Sequence, residues 1–237
     1  MDREVYQGIF SLGRISSYVN IQEHNANLRL IRDISWKLGV FELFLRNKID
    51  QIMKTQSSNG DRWLHNLWES VSKDDAQKTQ DENFIYMDLE KVFKKDYHTI
   101  THNQAVSRLN FGFWINITKI LIKEKDYQAP KILNVGHIRL SRYSTTTNHS
   151  IHDNNLKILL IFRLMRTIRN KAFHWENLLK TGINKKGKAT PNIFVKENWK
   201  NNTQFYAGVF PQKIRIFVDD ILDCIHPKLK DIIENSY

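Results

Sequence analysis

Long stretches of the chain contain apolar residues at helical spacing. Between about Asn25 and Lys54 they recur at alternating steps of three and four residues, which places them in one stripe along a helix. The members of this stripe are Ile31, Ile34, Leu38, Phe41, Leu45, Ile49 and Ile52. The pattern predicts a long amphipathic helix with one face in a core.

Further apolar segments predict more helices. Residues 84–95 turn apolar again, residues 155–179 form the most apolar segment, and Pro211 opens a last helix. A second stripe, within about 103–123, consists of Val106, Leu109, Phe113, Ile117 and Ile120. Because the chain has only nine glycines and four prolines, we expect an all-α fold, a helical bundle with long connecting loops.

Two polar intervals separate the later helices. Residues 125–154 predict a long connection, and residues 180–192, rich in glycine, lysine and asparagine, predict a loop. We find no repeat or composition shift in the sequence that would divide it. The expectation is therefore a single domain over 1–237, with a core at about 11–179 and a loop plus a C-terminal helical cap at 180–237.

The formal net charge of +11 favours a polyanionic partner, because a positive field attracts phosphates. An A+T-rich coding bias would also enrich lysine, asparagine and isoleucine, so a generic basic surface is the alternative. The single cysteine, Cys224, allows no disulfide framework. The first residues have no signal pattern and the longest strongly apolar run ends at Arg163, so we expect a cytoplasmic protein that does not enter membranes.

Two apparent motifs do not support a cofactor or a metal. The segment Gly182–Ala189 matches most of a phosphate-binding loop, but alanine stands where the pattern needs a hydroxyl, and the segment follows a predicted helix instead of a strand. His149 and His152 are close in sequence, yet histidines in loops are usually solvated. We expect no cofactor and no metal site.

The most informative segment is Arg166–Glu176, at the polar end of the most apolar helix. Arg169 and His174 enclose four residues. A spacing of four to six residues between an arginine and a histidine arises by chance about once in a chain of this composition, and Arg142 with His149 also matches it. Helical geometry places Asn170 and His174 on one face, while Arg169 points to the side and has to lean over. A basic helix end whose histidine complements the helix dipole is the alternative.

Four segments in this order resemble one protein family. They are Arg14–Tyr18, Phe41–Asn47, Leu109–Trp114 and Ile168–Glu176. Together they make the chain similar, over about 11–179, to the Abi-like proteins of AbiD and AbiF type, within the HEPN superfamily of bacterial phage defence. The family often has His-His-Glu-Pro where this chain has His174-Trp175-Glu176-Asn177. Because this chain has no proline there to end the helix, we expect that the helix can continue past this point.

The resemblance implies an RNA endonuclease that needs no metal. In such an enzyme the ribose 2′-hydroxyl attacks the neighbouring phosphorus. The resemblance implies that His174 transfers a proton, Arg169 binds the phosphate and Asn170 orients the phosphate or the imidazole. One histidine per chain supplies either the general acid or the general base of the reaction, but not both. HEPN domains generally form dimers in which two such motifs face one cleft, so we expect a symmetric homodimer.

Other polar residues are assigned supporting roles. The family's second polar cluster corresponds to Glu42, Arg46 and Asn47, whose helix we expect to pack beside the catalytic one, with Glu176 as a further supporting residue. An ion pair from Glu42 to Arg46 or Arg169 is the structural alternative. The residues expected to hold the RNA backbone are Arg139, Arg142, Lys171, Lys185, Lys186 and Lys188. For Phe111, Phe113 and Trp114, core packing is favoured over stacking on bases.

Three functions remain open from the sequence. The first is an endoribonuclease that acts in phage defence by abortive infection, or as a toxin held inactive by an RNA or protein antitoxin. The second is a helical module that binds RNA without cutting it. The third, a protein-interaction domain without RNA affinity, is disfavoured by the charge.

Overall fold

The computed structural model describes residues 3–57, 60–73, 80–123, 127–147 and 151–234. The helices are α1 (Arg3–Phe10), α2 (Leu12–Ile15), α3 (Ile21–Gln56), α4 (Trp63–Lys73), α5 (Gln80–Asp96), α6 (His102–Arg108), α7 (Phe111–Lys123), α8 (Asn154–Phe173), α9 (Ile214–Ile225) and α10 (Leu229–Glu234). The strands are β1 (Thr181–Ile183), β2 (Ala189–Pro191), β3 (Ile193–Trp199) and β4 (Thr203–Val209). Within these ranges, no helix combines the length and apolarity that a membrane crossing requires.

The expectation of an all-α fold is wrong. The chain forms two antiparallel two-stranded sheets, β1 with β2 and β3 with β4, so the fold is mixed, with helices predominant. In the second hairpin Ile193 pairs with Val209 and Trp199 with Thr203. Both sheets lie in the segment that was predicted as a loop and a helical cap.

A sequence signal for the second hairpin does exist. In β3 the side chains at 193, 195 and 197 are buried and alternate with more accessible ones, the period of two that a strand requires. Asn201 and Asn202, in the turn, both have positive φ, and asparagine tolerates this conformation better than most residues. The buried position 197 is a glutamate, which hides the alternation from a hydrophobicity pattern.

The chain divides into two compact units. The first contains residues 1–40 and 133–237, and the second contains 41–132, so the division falls within α3. All seven residues of the predicted α3 stripe are buried, which confirms that part of the sequence analysis. The assignment of 1–237 to a single domain stays a prediction.

The second unit is built around α7. Phe111, Phe113 and Trp114 are almost completely buried, and Phe111 packs edge to face against Phe41 with ring centroids 5.9 Å apart. Core packing of these three aromatic residues is thus confirmed, and they offer no face to a nucleobase. The helix predicted over 103–123 is interrupted before Phe111, where the side chain of Asn110 accepts a hydrogen bond from the Phe113 amide at 3.0 Å.

The first unit is organised by α8, whose side chains are buried over most of its length. The strand β3 runs antiparallel to α8, because Trp199 reaches Asp153 before the helix start and Glu197 reaches Arg163 farther along the helix. The Glu197 carboxylate is buried and accepts from the Arg163 guanidinium at 2.6 Å. This pairing compensates the cost of burying a charge.

Asp153 ties the start of α8 to the second hairpin. Its Oδ1 accepts hydrogen bonds from the amides of Asn155 and Leu156, as a helix N-cap does, and its Oδ2 accepts from the Trp199 indole at 3.0 Å. Partial burial alone would raise the pKa of this carboxyl group. The hydrogen bonds from Trp199 and the helix backbone outweigh the burial and hold the pKa of Asp153 below its ordinary value.

We predict that Asp153→Ala lowers the free energy of unfolding by about 1–2 kcal/mol at neutral pH, because a helix cap and the bond to Trp199 are both lost. The pKa of Asp153 is lower in the folded chain, so its contribution is present above the unfolded-state value of 3.8 and is lost as the pH falls through the folded-state value. Urea unfolding at neutral and acidic pH measures the difference. Asp153→Asn, which keeps a cap acceptor, should cost less; equal losses in both variants at every pH would contradict this account.

Candidate functional site

The helix α8 ends earlier than the sequence suggested. Its last helical residue is Phe173, and His174 is the C-cap, with its amide bonded to the Asn170 carbonyl at 3.0 Å. The expected extension towards Leu179 is therefore wrong. His174 is exposed at this helix end.

A tight turn closes α8 after His174. The Trp175 amide donates to the Ala172 carbonyl at 3.0 Å and the Glu176 amide donates to the Lys171 carbonyl at 2.8 Å. These two bonds are those of a Schellman motif, in which the residue after the cap adopts a left-handed conformation. Here that residue is Trp175, with a φ of 56°. Glycine usually takes this position, so without a glycine here the helix end could not be predicted from the sequence.

The chain after this turn is held by a buried asparagine of α3. The Asn27 side-chain amide donates to the Glu176 carbonyl at 3.1 Å and to the Tyr18 hydroxyl at 2.9 Å, and its oxygen accepts from the Leu178 amide at 2.9 Å. Asn27 is fully buried. One donated bond and the accepted bond of its side chain therefore fix the chain beside His174, and the other donated bond goes to Tyr18.

Asn177 makes a second attachment. Its side-chain amide donates to the Ser17 carbonyl at 2.8 Å, and its oxygen accepts from the Leu179 amide at 2.8 Å. This joins the 174–179 segment to the chain between α2 and α3. Two of the four segments that carry the family resemblance, Arg14–Tyr18 and Ile168–Glu176, are thus neighbours in the first unit.

His174 lines an open cavity of about 320 Å³. The other lining residues are Arg14, Ser17, Lys171, Trp175, Glu176, Asn177, Lys180 and Asn192. Three of them are cationic and one is anionic. Lys171 and Glu176 form an ion pair at 2.7 Å, while Arg14 and Lys180 are exposed to solvent. The cavity is positively charged on balance, as an anion-binding site requires.

Arg169 and Asn170 lie one turn before His174. The Arg169 guanidinium is 4.9 Å from the centre of the Phe173 ring and donates to Asn170 Oδ1 at 3.3 Å. Arg169 is not among the described residues that line the His174 cavity. The sideways direction predicted for Arg169 is therefore observed, whereas its approach to the His174 cavity stays a prediction.

Of the six predicted RNA-binding residues, Lys171 lines the His174 cavity and the other five occupy two other places in the first unit. Arg139 and Arg142 line a separate cavity of about 470 Å³ together with Asp220 and Asp223. The Arg142 guanidinium is bonded to Asp220 Oδ2 at 2.9 Å, so its charge is partly compensated. This cavity is less suited to a polyanion than the one at His174.

Lys185, Lys186 and Lys188 are exposed at the turn between β1 and β2. The Asn184 side-chain oxygen orders this turn by accepting from the amides of Lys186 and Lys188 at 2.9 and 3.0 Å. The two residues that flank the hairpin, Lys180 and Asn192, line the His174 cavity. The three lysines therefore lie roughly 10 Å along the strands from the residues that line that cavity, and Lys188 lines a separate cavity together with Phe194 and Tyr206.

The segment that resembled a phosphate-binding loop, Gly182–Ala189, is part of this hairpin. It lacks the strand-to-helix geometry that aims backbone amides at a phosphate. His152 is exposed before α8, and His149 lies outside the described residues. Among the residues that the structure describes, no three histidine, cysteine, aspartate or glutamate side chains cluster as metal ligands would.

The predicted second polar cluster lies on the part of α3 that belongs to the second unit. Glu42 and Arg46 are half-buried there, and Asn47 is exposed. The Arg46 Nε atom is buried and has no hydrogen-bond partner among the described residues. The approach of this cluster to the catalytic helix stays a prediction.

Sequence reasoning missed Asn27, Asn177 and Lys180. Asn27 precedes the first position of the α3 stripe, Ile31, by four residues and so lies on the same face, and a polar residue on a buried face is the one available signal for such a role. Asn177 and Lys180 follow the helix directly, but the segment was expected to be helical to about Leu179. Their place in the site became visible only with the early helix end.

Comparison with known proteins gives no relative: no family model, no curated protein and no solved structure matches this chain.

We predict that Asn27→Ala lowers the free energy of unfolding by about 2–3 kcal/mol, because it leaves the Leu178 amide and the Glu176 carbonyl without their buried partner. Urea unfolding measures the loss. Gln22→Ala, at an exposed position of the same helix, is the matched control and should change stability by less than about 0.5 kcal/mol. Equal stability of the two variants would show that the Asn27 hydrogen bonds do not hold the segment.

Proposed function

We propose that this chain is an endoribonuclease of the HEPN type. The observation that carries the proposal is the exposed His174 imidazole at the end of α8, in a cavity with a net positive charge. Arg169 and Asn170 stand one turn behind it on the same helix. A proton-transfer group beside fixed cations is the arrangement that cleavage of a phosphodiester needs.

The charges in the cavity suit a phosphate group. Arg14, Lys171 and Lys180 contribute three positive charges and Glu176 contributes one negative charge. Glu176 neutralises Lys171 in the free protein, which leaves Arg14 and Lys180 for the anion. The three lysines of the β1–β2 turn extend the positive surface away from the cavity, in a direction that a bound strand can follow.

The proposed reaction is transfer of the phosphoryl group to the adjacent 2′-oxygen. The 2′-hydroxyl gives its proton to the neutral His174 imidazole as its oxygen bonds to phosphorus. The bond from phosphorus to the 5′-oxygen then breaks, and that oxygen takes a proton from an acid. The products are a 2′,3′-cyclic phosphate and a 5′-hydroxyl. Cations beside the phosphate stabilise the extra negative charge of the crowded intermediate.

A single imidazole does not supply the base and the acid in the same step. We assign the second proton-transfer group to His174 of a second copy of the chain, in a symmetric dimer with the two α8 ends facing one cleft. Arg169 points to the neighbouring side of α8, where it covers the Phe173 ring. In this assembly Arg169 binds the phosphate from the flank of the cleft, with Asn170 between it and His174.

The arrangement of the resembling segments also supports the proposal. Arg14 and Tyr18 from the first segment lie beside His174 and Glu176 from the last, within the first unit. Phe41 and Phe111, from the other two segments, are in contact within the second unit. The proposed biological role is arrest of the host cell. The protein acts either in phage defence or as a cytoplasmic toxin that an RNA or protein antitoxin restrains.

A second candidate function is RNA binding without cleavage. The observation in its favour is that Arg169 does not line the His174 cavity in the described chain. The basic cavity and the lysines of the β1–β2 turn would then serve affinity alone. The two functions differ in whether the imidazole of His174 is needed after the RNA is bound.

We predict that purified protein cuts single-stranded RNA in the presence of EDTA, and that His174→Ala lowers the cleavage rate by at least about a hundredfold while RNA affinity is retained. Loss of the proton-transfer group removes the chemical step but leaves the cations in place. Cleavage of a labelled RNA, read on a denaturing gel, and binding of the same RNA measure the two effects.

His152→Ala is the matched control, since His152 is exposed in the same unit and lies outside the cavity. It should cleave like the parent protein. Undiminished cleavage by His174→Ala would exclude the proposed mechanism. Tight RNA binding by a parent protein that never cuts any RNA would support the second candidate instead.

A further inference from the structure

We propose that Trp175 is a stacking surface for an unpaired nucleobase next to the phosphate that His174 acts on. This inference deepens the proposed function, because it specifies the substrate as single-stranded RNA or an unpaired loop. It rests on three features of the Trp175 side chain: its exposure, its place in the cavity and its backbone conformation.

Trp175 is unusually accessible for its size. It is 51% exposed, whereas the five other tryptophans of the chain are buried or half-buried. Its indole lines the same cavity as His174, Arg14 and Lys180. The exposed face of a half-buried indole is apolar surface in contact with water. When a flat apolar partner stacks on that face, this surface is removed from water, which is favourable.

The backbone at Trp175 gives a second argument. A φ of 56° is favourable for glycine and strained for a bulky residue. Glycine would make the same turn, since both of its hydrogen bonds are formed by backbone atoms. The turn therefore does not require tryptophan. Residues with a strained backbone cluster at functional sites, where the role of the side chain outweighs the strain.

The surroundings of Trp175 determine which ligand fits. Arg14 and Lys180 line the cavity and suit a phosphate, while the indole suits a flat π-system. A nucleotide combines both chemical groups in one unit. Phe173, 40% exposed, is the neighbouring aromatic residue, but its face is covered by the Arg169 guanidinium. Trp175 is thus the aromatic side chain of this site that lies in the cavity with the cations.

A stacking surface of this kind selects unpaired bases. A base within a duplex is already stacked and paired, and taking it out of the helix costs free energy. An unpaired base pays no such cost. Every base has a π-face, so little preference among the four bases is expected. We therefore expect this site to prefer single-stranded over double-stranded RNA, with little dependence on the base sequence.

The test is a binding measurement on the full chain that does not depend on cleavage. The probe is a single-stranded oligonucleotide with 2′-O-methyl groups, which lacks the attacking hydroxyl, and its fully paired duplex is the comparison. We expect Trp175→Gly to bind the single strand about tenfold more weakly than the parent protein, whereas Trp175→Tyr stays within about threefold. Weak binding of the duplex should be the same in all three proteins.

Two controls separate stacking from folding. Trp175→Gly should have a melting temperature no lower than that of the parent, because glycine is favoured at this φ. Phe84→Ala removes an exposed aromatic side chain of α5 that is not among the residues lining this cavity, and should leave affinity for the single strand unchanged. Unchanged single-strand binding by Trp175→Gly, or an equal loss with Trp175→Tyr, overturns the inference.

The outcomes also separate this inference from the proposed function. If Trp175→Gly loses affinity but the parent protein never cuts RNA, stacking is supported and the nuclease proposal fails. If the parent cuts RNA and Trp175→Gly binds normally, the nuclease stands and stacking is overturned. Adenosine 5′-monophosphate tests for a free nucleotide as ligand: tighter binding of it than of the oligonucleotide would overturn RNA as the occupant.

Discussion

The buried amide of Asn27 is the constraint on which the candidate site depends. It holds the backbone on both sides of residue 177 by binding the Glu176 carbonyl and the Leu178 amide, while Tyr18 completes its hydrogen bonding. Because Asn27 and its bonds to Tyr18 and the Leu178 amide are buried, losing them costs more than losing a surface hydrogen bond would. The early end of α8 and the exposure of His174 both follow from a chain that turns at Trp175 and is fixed directly afterwards.

Much of the helical framework could be predicted from the sequence, since apolar spacing reports burial directly. The α3 stripe and the aromatic core around Phe113 are where the pattern placed them. The two sheets could not be found in this way, because their strands are short and β3 buries Glu197 among its inward residues. That residue is explained only by Arg163, which is distant in sequence and supplies the compensating charge.

The candidate site was predictable in part. The exposed position of His174 at a helix end depends on the turn at Trp175, which was not predicted, whereas the sideways direction of Arg169 follows from helical geometry and the Arg-x4-His spacing. The cations that surround His174 did not follow from it, since Arg14 and Lys180 reach the cavity through the chain after α2 and the start of the first hairpin. Arg139 and Arg142 were expected at RNA but lie beside two aspartates, a tertiary arrangement that local charge does not reveal.

The central claim is that the His174 imidazole faces a phosphodiester of bound RNA. The most direct measurement is the imidazole NMR signal of His174 during titration with an RNA whose 2′-hydroxyl at the cutting position is replaced by hydrogen. We expect the His174 signal to move and to saturate together with binding, while the signal of exposed His152 stays in place. RNA that binds to saturation without moving the His174 signal would contradict the account.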